Sequence, residues 1–127
     1  MRGSKALVPV LLALALLGIA CAPAQPAAAA RSGPGPKEIT VTATEMAFGP
    51  TSIEVAVGEP VKLTLKNNGV VEHNWRAQVG SDALMVTAQP KQSASTTFTP
   101  QTAGTYRFVC TVPGHEQSGM VGTLVVK

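Results

Sequence analysis

Three residues in one short stretch carry side chains suited to a soft metal: Cys110, His115 and Met120, within Cys110-Thr-Val-Pro-Gly-His115-Glu-Gln-Ser-Gly-Met120. A thiol, an imidazole and a thioether follow one another with four residues between each. Cysteine and methionine sulfur suit copper(I), imidazole suits both copper oxidation states, and no carboxylate is required. A His2Cys site with a weak axial methionine needs a second imidazole, and the only other histidine is His73, in Val71-Glu72-His73-Asn74-Trp75. His73, Cys110, His115 and Met120 are therefore the candidate metal ligands. Two imidazoles and a thiolate in a plane, with a distant thioether, are tolerable to both copper(I) and copper(II), so an electron can pass without a change of ligands. Each residue also has a plainer reading. Cys110 alone would be a buried structural cysteine, and Met120 beside Val121 would be core filler. It is their shared spacing that favours ligation. Zinc would accept the cysteine and the histidines, but methionine is a poor zinc ligand.

These residues must be held by something larger than their loop. Tyr106-Arg-Phe108-Val leads into Cys110 as a strand, and Val121-Gly-Thr-Leu124-Val-Val leads away from Met120 as another. His73 lies 37 positions before Cys110, so only a folded scaffold can bring it in. From Glu38 onward the apolar period is two. Ile39 and Val41 alternate with threonines; Ile53, Val55 and Val57 alternate with Glu54 and Ala56; Val61, Leu63 and Leu65 alternate with Lys62, Thr64 and Lys66. Such segments are half-buried strands. Gly58-Glu59-Pro60 and Asn67-Asn68-Gly69 supply turns. A strand is expected over residues 73–79, then a less regular segment over 80–90 with a short helical turn at 83–85. Residues 92–99 form a further strand with Phe98 inward, and 100–104 form a turn. Seven or eight short strands with almost no helix indicate an all-β fold, an antiparallel Greek-key β-sandwich over residues 38–127. A core of this size is modest, so a bound metal would add to its stability.

The start of the chain reads differently. Met1-Arg-Gly-Ser-Lys5 is basic and residues 6–20 are almost wholly apolar, a run better suited to a secretory signal than to a membrane span. Gly18-Ile19-Ala20-Cys21 resembles a bacterial lipobox, with Gly18 where leucine is usual. Residues 1–21 are thus read as a signal peptide whose Cys21 is acylated. Cleavage at a later Ala-x-Ala site among residues 22–30 is the alternative, and both readings export the domain. Residues 22–37, rich in proline, alanine and glycine, form a linker. Removing Arg2 and Lys5 from the ten basic residues leaves eight against seven acidic ones. That near-neutral balance is no argument for nucleic acid, which normally requires a basic patch. With Cys21 acylated or removed, Cys110 stays unpaired, which is unusual for an exported protein and consistent with ligation.

Asn67-Asn68, Glu72-His73-Asn74, Gly104-Thr105-Tyr106, Cys110, Pro113-Gly114-His115 and Gly119-Met120-Val121-Gly122 resemble the residues of small blue copper proteins, the cupredoxins. The resemblance covers nearly the whole of residues 38–127, and the loop spacing is most like that of auracyanin. It implies one type 1 copper ion cycling between copper(I) and copper(II) at His73, Cys110, His115 and Met120. It also implies that Asn74 ties the His73 strand to Thr111 and that the edge of His115 reaches the surface; in some relatives, not all, the carbonyl at the place of Glu72 approaches the metal opposite Met120. Val70, Val112, Pro113, Leu84 and Met85 would surround that edge with an apolar docking patch. Val109 stands where plastocyanins carry an aromatic, and there is no acidic cluster, so electrons are expected to enter and leave through His115.

The implied function is electron transfer by a monomer between redox proteins, such as a cytochrome or a membrane electron-transfer complex. The protein would sit in the bacterial periplasm or at the outer face of the cytoplasmic membrane, tethered through lipid on Cys21. Copper delivery or storage is the alternative; it calls for exchangeable Met or His ligands, and the chain has four methionines and no His-rich tract. A multicopper enzyme needs further histidines for a second centre, and none are left.

Overall fold

The computed structural model describes residues 35–127, which form nine strands and, among those residues, no helix. The signal segment, Cys21 and most of the linker lie outside the described residues. The strands are β1 (Lys37–Thr44), β2 (Ala47–Gly49), β3 (Ser52–Val55), β4 (Val61–Asn67), β5 (His73–Val79), β6 (Asp82–Ala88), β7 (Ser93–Phe98), β8 (Gly104–Val109) and β9 (Val121–Val126). They pair into two sheets, one in the order β2-β1-β4-β7 and the other in the order β3-β9-β8-β5-β6.

The period-two apolar pattern sets which face of each strand is covered. Val61, Leu63 and Leu65 are buried while Lys62, Thr64 and Lys66 point to the more open side. Facing them across the sandwich are Trp75, Ala77, Phe108, Leu124 and Val126. Four aromatic rings pack at the centre: Phe108 meets Phe48 edge-on at 5.4 Å between centroids and lies 5.5 Å from Trp75, which stacks on Phe98 at 6.3 Å. Gly122 is paired directly opposite Phe108. A Cβ there would lie 2.1 Å from Phe108 Cζ and 2.7 Å from the Thr51 carbonyl oxygen, so only glycine leaves room for the ring.

The structure departs from the sequence expectations in three places. The sandwich is mixed, because β1 pairs parallel with β4 and β3 pairs parallel with β9. Alternation reveals a buried face and says nothing of the direction of the neighbouring strand, so sequence pattern could not separate the two cases. The helical turn expected at 83–85 is instead part of β6, which pairs with β5 over seven consecutive residues from His73↔Ala88 to Val79↔Asp82. Ala83, Leu84 and Met85 are good helix formers, and cross-strand pairing overrides that propensity. Finally, Val57 does not continue its strand. It is exposed, and Gly58 turns the chain with φ 76° just after it.

Candidate metal centre

The β8–β9 connection carries three of the four candidate ligands. The last rung of that ladder pairs Val109 with Val121. One step beyond, the Cys110 N–H donates to the Met120 carbonyl at 3.1 Å, so Cys110 and Met120 stand opposite each other at the mouth of the loop. Inside it, the His115 N–H donates to the Val112 carbonyl and the Met120 N–H to the His115 carbonyl, both at 3.0 Å. Gly114 and Gly119 adopt φ of 85° and 93°. Each immediately precedes a candidate ligand, and a side chain at either would meet open space, so backbone conformation is what demands glycine there. Arg107 on β8 donates to Glu116, pinning the residue after His115 to the strand.

His73 arrives from the other direction as the first residue of β5. The preceding loop is organised by Asn67, which is buried and fully used: its Nδ2 donates to the Val71 and Ala88 carbonyls, and its Oδ1 accepts from the Gly69 N–H. The register of β5 on β8, Arg76 with Val109 and Ala77 with Phe108, sets Asn74 opposite Thr111 when continued. There the Thr111 N–H donates to Asn74 Oδ1 at 2.8 Å, and Asn74 Nδ2 donates to Thr111 Oγ1 at 3.0 Å. The Asn74 N–H points at Cys110 Sγ from 3.5 Å. The strand-to-loop tie expected of Asn74 is therefore present.

These two segments bring the ligand atoms of His73, Cys110 and His115 within 4.8 Å of one another. The two Nδ1 atoms are 3.2 Å apart, and Cys110 Sγ lies 3.5 Å from that of His115 and 4.0 Å from that of His73. All three side chains are buried, as is Met120. Burial and the neighbouring His115 hold the His73 imidazole below its usual range, so it is kept neutral and able to ligate. Two imidazole nitrogens and a sulfur aimed at one buried point make a borderline-to-soft donor set, and this set fits a copper ion. His115 keeps 6% of its surface open while His73 keeps none, so His115 is the imidazole that reaches outward.

The surroundings of His115 differ in part from expectation. Val70 is exposed, at 68%, as are Val71 and Pro113, and Val112 is half-buried against the core. Leu84 and Met85 do not join them. They pair with Ala77 and Arg76, three or four rungs along β5 from His73, which at ~3.3 Å per residue is roughly 10 Å away. Sequence reading did not single out Glu45 and named Gly69 only as part of a turn, yet both lie beside His73: Glu45 Oε1 is 3.7 Å from His73 Nε2, and a Cβ at Gly69 would lie 3.0 Å from that nitrogen. No spacing rule connects a residue at a hairpin tip to a histidine 28 positions later, so no sequence signal marks it.

Residues 10–126 match the family described as "Cupredoxin-like domain", and the chain belongs to that family. Among individual proteins, it is 32% identical over 124 residues to auracyanin-A of Chloroflexus aurantiacus, covering 75% of this chain and 76% of the relative. It is 30% identical over 152 residues to the copper-resistant cuproprotein CopI of Pseudomonas aeruginosa, covering 83% of this chain and 81% of the relative. The solved structure of Chloroflexus aurantiacus auracyanin A, described as a "blue" copper protein, superposes with a TM-score of 0.66 at 31% identity, covering 73% of this chain and all of that one.

Proposed function

We propose that this protein is a one-electron carrier that holds a single type 1 copper ion and cycles it between copper(I) and copper(II). His73 Nδ1, His115 Nδ1 and the Cys110 thiolate would hold the ion, with the Met120 thioether as a weaker fourth donor. The observation that carries this reading is the convergence of three buried donors from two distant segments, with Asn74 locking those segments together. When bound, copper supplies a reversible one-electron couple. The protein's part is to keep the donors from following the preference of either oxidation state, and to direct the Asn74 N–H at the sulfur, where it stabilises the thiolate. The similarity to auracyanin-A supports the assignment.

Electrons enter and leave through His115, the imidazole with an open edge; Val70 and Val71, on the loop before His73, and Pro113, on the His115 loop, are exposed and would form an apolar rim. Such a rim suits brief docking of a redox protein, a cytochrome or a membrane complex, to a monomeric carrier. The N-terminal segment exports the chain to the periplasm or the outer face of the cytoplasmic membrane, and Cys21 carries the lipid. Mass spectrometry of the mature N-terminus tests this: an N-terminus beyond Cys21 rules out the tether.

For the copper site the test is optical. Copper(II) added to the protein should produce an intense visible band from thiolate-to-copper charge transfer, bleached and restored by one equivalent of reductant and oxidant. A colourless or redox-silent copper protein would refute the proposal. The similarity to CopI favours a second reading, sequestration of copper under copper stress. Deleting the protein separates the two: loss of copper tolerance with respiratory or photosynthetic electron flow intact supports sequestration.

A further inference from the structure

The two ring nitrogens of His73 face different surroundings. Nδ1 faces His115 and Cys110, whereas Nε2 is buried and has no hydrogen-bond partner. A Glu45 carboxylate oxygen stands 3.7 Å from it. Glu45 occupies the two-residue turn between β1 and β2, where Met46 takes a left-handed φ of 64°. The same Oε1 accepts the Val70 N–H at 2.6 Å and the Val71 N–H at 3.4 Å, so the carboxylate is held by the loop that delivers His73. The Val70 N–H, ahead of every other influence, holds this carboxyl below its usual range. Gly69 leaves the space: a Cβ there would lie 2.3 Å from Glu45 Oε1 and 3.0 Å from His73 Nε2.

A neutral imidazole carries its proton on one nitrogen only. A proton on Nδ1 would turn the Nε2 lone pair toward the carboxylate and block the nitrogen needed for ligation. A proton on Nε2 removes both conflicts. We infer that Glu45 is a positioning residue for His73, selecting the tautomer that leaves Nδ1 bare for the metal and favouring, by its negative charge, the higher oxidation state of the ion held there. This rests on the copper reading above. At 3.7 Å the contact is longer than a hydrogen bond, and its effect is electrostatic orientation. Coordination at Nδ1 would make the Nε2–H a stronger donor toward the carboxylate. Loss of a partner of this kind costs about 10- to 100-fold in metal affinity. The Glu45 side chain is 44% exposed, so solvent screening places it at the low end.

The test uses the full chain as wild type, Glu45→Gln and Gly69→Ala. In the metal-free protein, nitrogen NMR of His73 should show the Nε2–H tautomer in the wild type and a mixture of tautomers in Glu45→Gln. With copper, Glu45→Gln should keep the visible band but lose about tenfold in copper(II) affinity and little in copper(I) affinity, a rise in potential of ~59 mV. Gly69→Ala, which pushes the carboxylate aside without removing it, should move the potential in the same direction. A variant that is less stable but unchanged in potential and tautomer would reduce Glu45 to a loop tie and overturn the inference. Should the wild type itself give no copper–thiolate band, the copper reading fails, while the metal-free NMR comparison still decides whether Glu45 orients His73.

Discussion

Cys110 has the most distinctive task of any single residue, because only a thiolate gives charge transfer to copper in the visible range. Cys110→Ser should abolish the band almost completely while leaving the fold intact, since a serine hydroxyl replaces the thiol with little loss of volume; retention of the band on optical titration would remove Cys110 from the ligand set. Met120→Leu should leave copper bound and raise the reduction potential, because losing a weak axial donor costs copper(II) more than copper(I). Voltammetry showing no change would argue that the Met120 sulfur is not a ligand. His73 gives a prediction for the metal-free protein. Its folded pKa lies below the ordinary 6.5, chiefly because burial disfavours the charged ring. The unfolded chain therefore binds more protons, and stability rises with pH. His73's contribution is complete above about pH 6.5 and is lost as the pH falls toward the lower folded value, where protonation favours unfolding. Denaturant titrations of the metal-free protein between pH 7 and 5 should show the decline, and His73→Gln should flatten it.

At the level of elements, the centre is the end of the β8–β9 ladder joined to the start of β5. Asn74→Ala would remove that joint, leaving the Thr111 N–H without its partner. A cost of ~2 kcal/mol is expected, with a shift in the visible band as the N–H to Cys110 Sγ loosens. Thermal unfolding and the absorption spectrum check both. Gly122→Ala tests the packing beneath the site, where a methyl would collide with Phe108 and the Thr51 carbonyl. Overpacking of this kind costs about 1–3 kcal/mol, and the collision with backbone places it at the upper end. Much of this was legible in the sequence, because three of the four candidate ligands share a loop and their strands alternate cleanly. Val61, Leu63 and Leu65 announce β4 as plainly as residues 106–109 announce β8. What was not legible depends on partners remote in the chain. The parallel β1–β4 and β3–β9 pairs and the strand at 82–88 are decided by neighbours, and the place of Glu45 beside His73 is decided by how two loops meet.

For the molecule as a whole, the core of the sandwich is continuous, and hydrogen bonds among protein groups hold the segments that carry the donors. Copper bound there should add to the stability of this fold. At free copper a thousandfold above Kd the gain is ~4 kcal/mol. For a domain of this size that amounts to a rise in melting temperature on the order of 15 °C or more, which calorimetry with and without copper would register. Holding those segments in place is also what would make electron transfer fast, because the ion then changes charge without changing its ligands. X-ray absorption at the copper edge, on one sample in its oxidised and then its reduced form, tests this most directly. The expected result is the same two nitrogen bonds and one short sulfur bond in both forms. An imidazole lost on reduction, or a ligand gained on oxidation, would contradict it.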